Sequence, residues 1–103
     1  MAMFDQVLVA RLGDTEIARA PEQETVTLEG SVYFPPDSVR FELLRETATR
    51  TRCPWRGEAI YYDVVDGTRI SADAAWSYPQ PGRKAKRIVG FVSFWKEVET
   101  SPA

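Results

Sequence analysis

The sequence contains no histidine. Ser-His-Asp and Cys-His catalysis, imidazole acid–base chemistry and imidazole metal ligation are therefore excluded. Cysteine occurs once, at Cys53, so no intramolecular disulfide can form and a zinc site of the usual Cys/His kinds cannot be assembled. Neither a metal nor a cofactor is expected. The six glycines never fall into a G-x-G-x-x-G or P-loop arrangement, which leaves out both phosphate-cradling fingerprints. Basic residues are not in excess: 13 Lys and Arg stand against 15 Asp and Glu, a net charge of −2. A domain that neutralises many phosphates carries the opposite balance, so no nucleic-acid partner is expected. No apolar run approaches the ~20 residues of a membrane span, so no membrane partner is expected either. The N-terminal MAMFDQVLVARLGD lacks the basic start of a signal peptide. With the lone thiol, these readings point to a cytoplasmic, soluble protein.

What is present suits a small globular unit. The 103 residues fit a single domain over 1–103. A chain of this length buries roughly 60–70% of its unfolded surface, enough for a modest core without staples. Three Trp, five Phe and four Tyr supply that core, or a pocket, with large flat surfaces.

Turn signals divide the chain into short extended runs. Residues 6–11 (QVLVAR) and 15–20 (TEIARA) flank Gly13-Asp14, where glycine at the first central position suits a II′ hairpin. Residues 24–29 (ETVTLE) alternate strictly, with Val26 and Leu28 on one face, and read as a half-buried strand. Gly30 interrupts it, and 31–34 (SVYF) resumes the extended chain. Pro35-Pro36-Asp37-Ser38 predicts a turn, and the alternation of Val39, Phe41 and Leu43 predicts a strand over 39–44. Residues 47–52 (TATRTR) read as a strand with an exposed face, and 58–65 (EAIYYDVV) as the strongest strand of the chain. Asp66-Gly67 predicts a type I′ hairpin into Thr68 onward. After Pro79-Gln80-Pro81-Gly82, residues 83–87 (RKAKR) predict one helical turn. The run 88–98 (IVGFVSFWKEV) is apolar on both faces and predicts one buried central strand, with 99–103 a frayed tail. Short strands between closely spaced turns predict a mainly β fold: a sandwich, a barrel or small coiled antiparallel sheets with one or two helical turns.

Two segments are dense in chemically useful side chains: Arg52 to Tyr62 and Ala74 to Pro81. Each sets aromatic rings beside proline at a strand end, where a rigid sheet can hold a pocket rim. Trp55, Trp76 and Tyr78 combine large apolar faces with a donor, which suits ring stacking; the same rings would equally serve as core caps beneath irregular loops. Cys53 stands between Arg52 and Arg56, which would favour its thiolate, yet no imidazole exists to act as its base, and a free cysteine often only packs. Glu58 and Asp63 are five apart, so one regular strand would point them to opposite faces; Glu58 is expected to pair with Arg56 or another rim arginine. The cluster Arg83, Lys84, Lys86 and Arg87 reads as a solvated loop.

The segment Cys53-Pro54-Trp55-Arg56-Gly57-Glu58-Ala59 with Tyr61-Tyr62, the segment Ala74-Ala75-Trp76-Ser77-Tyr78-Pro79-Gln80-Pro81, and the final Ile88 to Phe94 run closely resemble domain-of-unknown-function family 427. The early Tyr33-Phe34-Pro35 also agrees with it. The resemblance implies an Mss4-like or β-tent architecture, small coiled β-sheets folded against each other. Many β-tent proteins hold zinc between two cysteine pairs; this chain has Cys53 alone, which departs from that pattern. A nucleotidyltransferase label attached to the family finds neither a phosphate loop nor a metal-binding carboxylate pair in these residues.

The expected function is small-molecule binding through an aromatic pocket of Cys53, Trp55, Arg56, Glu58, Trp76 and Tyr78. The alternatives are an enzyme using Cys53 or Glu58 as its catalytic group, with a nucleotide-like substrate in view, and a protein-interaction domain using exposed aromatics and sheet edges. A homodimer is left open. If the two motifs form one site, the hairpin between them must carry both strand ends to one partly exposed concavity.

Overall fold

A computed structural model describes residues 6–103, and the statements below concern those residues; of the N-terminal segment read above, Met1–Asp5 lie outside them. Nine strands form antiparallel sheets joined by short 3₁₀ turns. Strands β1 (Val7–Leu12) and β2 (Thr15–Pro21) make the first hairpin, and β9 (Val98–Pro102) pairs with the other side of β1. The turn is Gly13-Asp14, with Gly13 at φ +61° as a II′ turn requires. β3 (Val26–Leu28) and β4 (Ser31–Tyr33) form a two-stranded ribbon, and β5 (Leu44–Cys53), β6 (Gly57–Asp66), β7 (Arg69–Ser77) and β8 (Val92–Phe94) form a four-stranded sheet in chain order. Reciprocal Phe34 and Val92 backbone bonds of 2.8 and 2.9 Å join the ribbon to β8, so the two pieces act as one six-stranded layer. No helix is long and apolar enough to cross a membrane.

Two apolar clusters follow from the period-2 alternation of the strands. The larger lies between the layers and includes Leu8, Ile17, Phe34, Val64, Val92 and Val98. The smaller gathers Tyr33, Ala59, Tyr78, Ala85 and Ile88, with Cys53, Tyr61 and Trp76 packed against it.

Four expectations need correction. Residues 39–44 are not a strand: Val39 bridges Ala18 and the Arg40 N–H bonds the Ile17 carbonyl at 2.8 Å, after which Phe41–Leu43 makes a 3₁₀ turn into β5. The chain must cross there from one sheet to the other, and its alternating residues serve a single bridge before it turns; Phe41 ends 41% exposed. Residues 88–98 are not one strand. Ile88 closes the 3₁₀ segment Arg83–Ile88, and positive φ at Gly90 (+72°) and Lys96 (+58°) bends the chain on either side of β8. The apolar content on both faces is real, because all three β8 residues are buried, but the run divides between two sheets. The tail is ordered in β9, and the Ala103 N–H bonds the Val7 carbonyl at 2.8 Å. Finally, the β6–β7 turn is Gly67-Thr68, with Asp66 still paired to Arg69, and only Gly67 has positive φ, so the turn is not type I′. The type I′ pattern occurs instead at Glu29-Gly30 between β3 and β4, where both φ angles are positive, +51° and +84°. The helical turns expected near Pro36 and Arg83 are present as 3₁₀ segments Pro36–Ser38 and Arg83–Ile88.

Candidate functional site: an aromatic hollow walled by Arg56

Cross-strand register builds one face of the site. Tyr61 on β6 lies opposite Trp76 on β7, which lies opposite Ser93 on β8. Tyr78 and Trp95, each two residues further along, extend the same face by the period of the strand. Arg56, from the turn between β5 and β6, completes the lining of a hollow of about 200 Å³ formed by Arg56, Tyr61, Trp76, Tyr78 and Trp95.

Trp76 is the hub. Its ring meets Tyr33 edge-on at 6.2 Å, Trp95 edge-on at 5.8 Å, and Tyr61 at 6.4 Å with a 32° tilt. The two edge-on arrangements set the positive edge of one ring against the negative face of another and contribute about 0.5–1.5 kcal/mol each beyond burial. The Trp76 indole N–H donates to the Tyr33 hydroxyl at 3.2 Å. Burial, opposed by that bond, raises the Tyr33 pKa, so its hydroxyl stays protonated. Trp95 is anchored differently: its indole N–H donates 2.7 Å to the Asp73 carbonyl, and the residue is 47% exposed.

Asp73 is a backbone device. Three β5 residues, 47–49, oppose Tyr61 alone, and three β7 residues, 72–74, oppose Asp63 alone, so two bulges meet across the sheet. Asp73 sits there at φ +51°, its carboxylate accepting from the Thr47 and Thr49 hydroxyls at 2.6 Å each and its N–H donating to Asp63 at 2.9 Å. The threonine hydroxyls lower the Asp73 pKa. A strained, over-determined conformation of this kind holds the carbonyl that fixes Trp95.

Arg56 is positioned by two interlocked turns. Gly82 N–H donates 3.0 Å to the Arg56 carbonyl, docking the Pro79–Gly82 loop onto the β5–β6 turn. A Cβ on Gly82 would stand 2.3 Å from the Trp55 carbonyl oxygen, and one on Gly57 would stand 2.9 Å from that of Gln80. Both glycines are needed for close backbone approach. The arginine side chain is only 13% exposed and pairs with Glu29 at the tip of the β3–β4 hairpin. Burial works against its charge, but the Tyr78 hydroxyl, Tyr33 and Glu29 outweigh it and raise its pKa. Its guanidinium also lies 4.6 Å from the centre of the Trp55 ring.

Of the residues read from sequence, the fold brings Arg56, Trp76 and Tyr78 to one hollow. Trp55 lies outside its lining, exposed, with Arg56 over its ring. Cys53 is half-buried against the smaller apolar cluster. Glu58 lines a separate, more polar depression with Arg52, Gly57, Pro79 and Gln80. The carboxylate on Arg56 is Glu29 and not Glu58. Tyr33 and Tyr61 stand in the family-like segments and Asp73 beside them, but these three, with Trp95 and Glu29, are not among the site residues read from sequence. The 93/95 and 76/78 alternation carried a signal for Trp95; nothing local connects Glu29 to Arg56, 27 residues away. Among the described residues, no three acidic or thiol side chains gather in a way that would hold a metal ion.

The chain belongs to a family described as a domain of unknown function (DUF427), whose model matches residues 3–101. A search of the curated proteins finds no match.

Proposed function

We propose that this domain binds a small molecule in the hollow walled by Arg56, Tyr61, Trp76, Tyr78 and Trp95. The observation that carries the reading is the convergence of these five side chains on one hollow of about 200 Å³. Rings from separate strands offer stacking surface, and one charged group offers orientation, which is the usual division of labour in ligand sites. The volume equals roughly six or seven waters at ~30 Å³ each. A hollow of this size seats one ring with a small substituent. The candidate catalytic groups Cys53 and Glu58 lie outside this lining, Glu58 in the separate depression with Arg52. A cytoplasmic setting agrees with the single unpaired thiol.

Native mass spectrometry of purified protein and a thermal-shift screen of ring compounds of each charge test the reading. Trp76→Ala is expected to abolish any binding found, while Trp55→Ala retains it. Half-buried Trp76 is expected to cost less stability than the about 3–5 kcal/mol of a fully buried tryptophan. Binding that survives Trp76→Ala would place the ligand elsewhere.

A further inference from the structure

Arg56 carries more than a generic aromatic hollow requires. Its Nε is buried and makes no hydrogen bond among the described residues. Its carboxylate partner, Glu29, reaches Nη2 through Oε1 alone. A carboxylate laid side-on against a guanidinium takes two parallel N–H bonds and binds more strongly than through one. Glu29 therefore fills half of the fork. It is also 66% exposed and stands at a hairpin tip, where water competes for it and its release unpacks no core.

We propose that the hollow accepts a small planar carboxylate, one aromatic ring bearing a carboxyl group, whose carboxylate takes the Arg56 fork while the ring lies among Tyr61, Trp76 and Trp95. Glu29 is the built-in competitor that occupies the fork until such a ligand displaces it. This rests on the hollow being a ligand site and adds the charge and shape of what enters. A cationic ring meets the buried guanidinium and is repelled; a neutral ring gains stacking but leaves the fork half-filled. Because Glu29 and the ligand use the same donor, removing the Glu29 charge raises affinity for carboxylates only.

Isothermal titration with benzoate, benzamide and benzamidine separates these possibilities by holding the ring constant. Benzoate is expected to bind at least tenfold more tightly than benzamide, and benzamidine least. Glu29→Gln is expected to raise benzoate affinity several-fold and leave benzamide unchanged. Arg56→Gln, accepted only with a cooperative melt, is expected to bring benzoate down to benzamide. Benzamide or benzamidine binding as well as benzoate, or Glu29→Gln leaving benzoate affinity unchanged or weaker, overturns the carboxylate assignment while the hollow remains a ligand site. If the parent protein and Glu29→Gln both bind none of the three, the carboxylate assignment is overturned; a wider screen that is also empty removes the hollow reading with it.

Discussion

Replacing Gly82 with alanine tests the interlock that places Arg56. Gly82 has φ −61°, which any residue adopts, so the substitution carries no backbone strain of its own. Space is the whole difficulty. The new Cβ would lie 2.3 Å from the Trp55 carbonyl oxygen and 3.2 Å from its carbon, both backbone atoms that no rotamer change removes. The Pro79–Gly82 loop must lift, and the 3.0 Å bond from Gly82 to the Arg56 carbonyl is lost with it. Overpacking of this kind costs about 1–3 kcal/mol, and the hydrogen bond about 0.5–1.5 kcal/mol. Alanine recovers about 0.4–1 kcal/mol by restricting the unfolded chain. A net loss of about 0.5–4 kcal/mol remains, and at about 4–8 °C per kcal/mol for a domain near this size the melting temperature falls by more than ~2 °C. Differential scanning calorimetry measures this directly. Titration of the same variant with a ring ligand is expected to show weakened binding, because Arg56 moves with its turn. A Gly82→Ala protein that melts within ~2 °C of the parent would refute the reasoning, since the two turns could not then be in backbone contact.

Asp73 supplies a pH test. Its pKa is lowered by the Thr47 and Thr49 hydroxyls, so its stabilisation is present above the ordinary aspartate value of about 3.9 and is lost as pH falls through the lower folded value. The stability difference between the parent and Asp73→Asn, followed by denaturant melts from pH 6 to pH 2, is therefore expected to shrink below about pH 4; a difference that grows on acidification contradicts the assignment. Cys53 packs against the smaller apolar cluster and lies outside the hollow's lining, so Cys53→Ser is expected to leave ligand affinity unchanged. A loss of binding in a variant that still melts cooperatively would return the thiol to the site.

Much of the architecture was legible in the sequence because its causes are local. The strand read over 58–65 is β6, glycine at position 13 gave the first hairpin, and paired prolines at 35–36 gave the 3₁₀ turn that begins at Pro36. The candidate site was half legible for the same reason. Period 2 puts Trp76 and Tyr78 on one face, and the hairpin between the two motifs lets Arg56 meet them. The missing histidine bounded the chemistry without any structure. What the residues could not reveal were choices between distant partners. The 88–98 run satisfies a strand pattern throughout, yet left-handed backbone at Gly90 and Lys96 divides it between two sheets. Glu58 is the carboxylate nearest Arg56 in sequence, but Glu29 reaches it because β4, and with it the β3–β4 ribbon, docks on β8. Tyr33 receives the Trp76 indole across 43 residues, and Asp73 ties two bulges that no single strand pattern encodes. Local sequence sets backbone propensity and which side chains share a strand face. Register between strands, and the close approach that Gly57 and Gly82 permit, depend on burying apolar faces and pairing polar groups over the whole chain, and only the assembled sheets decide them.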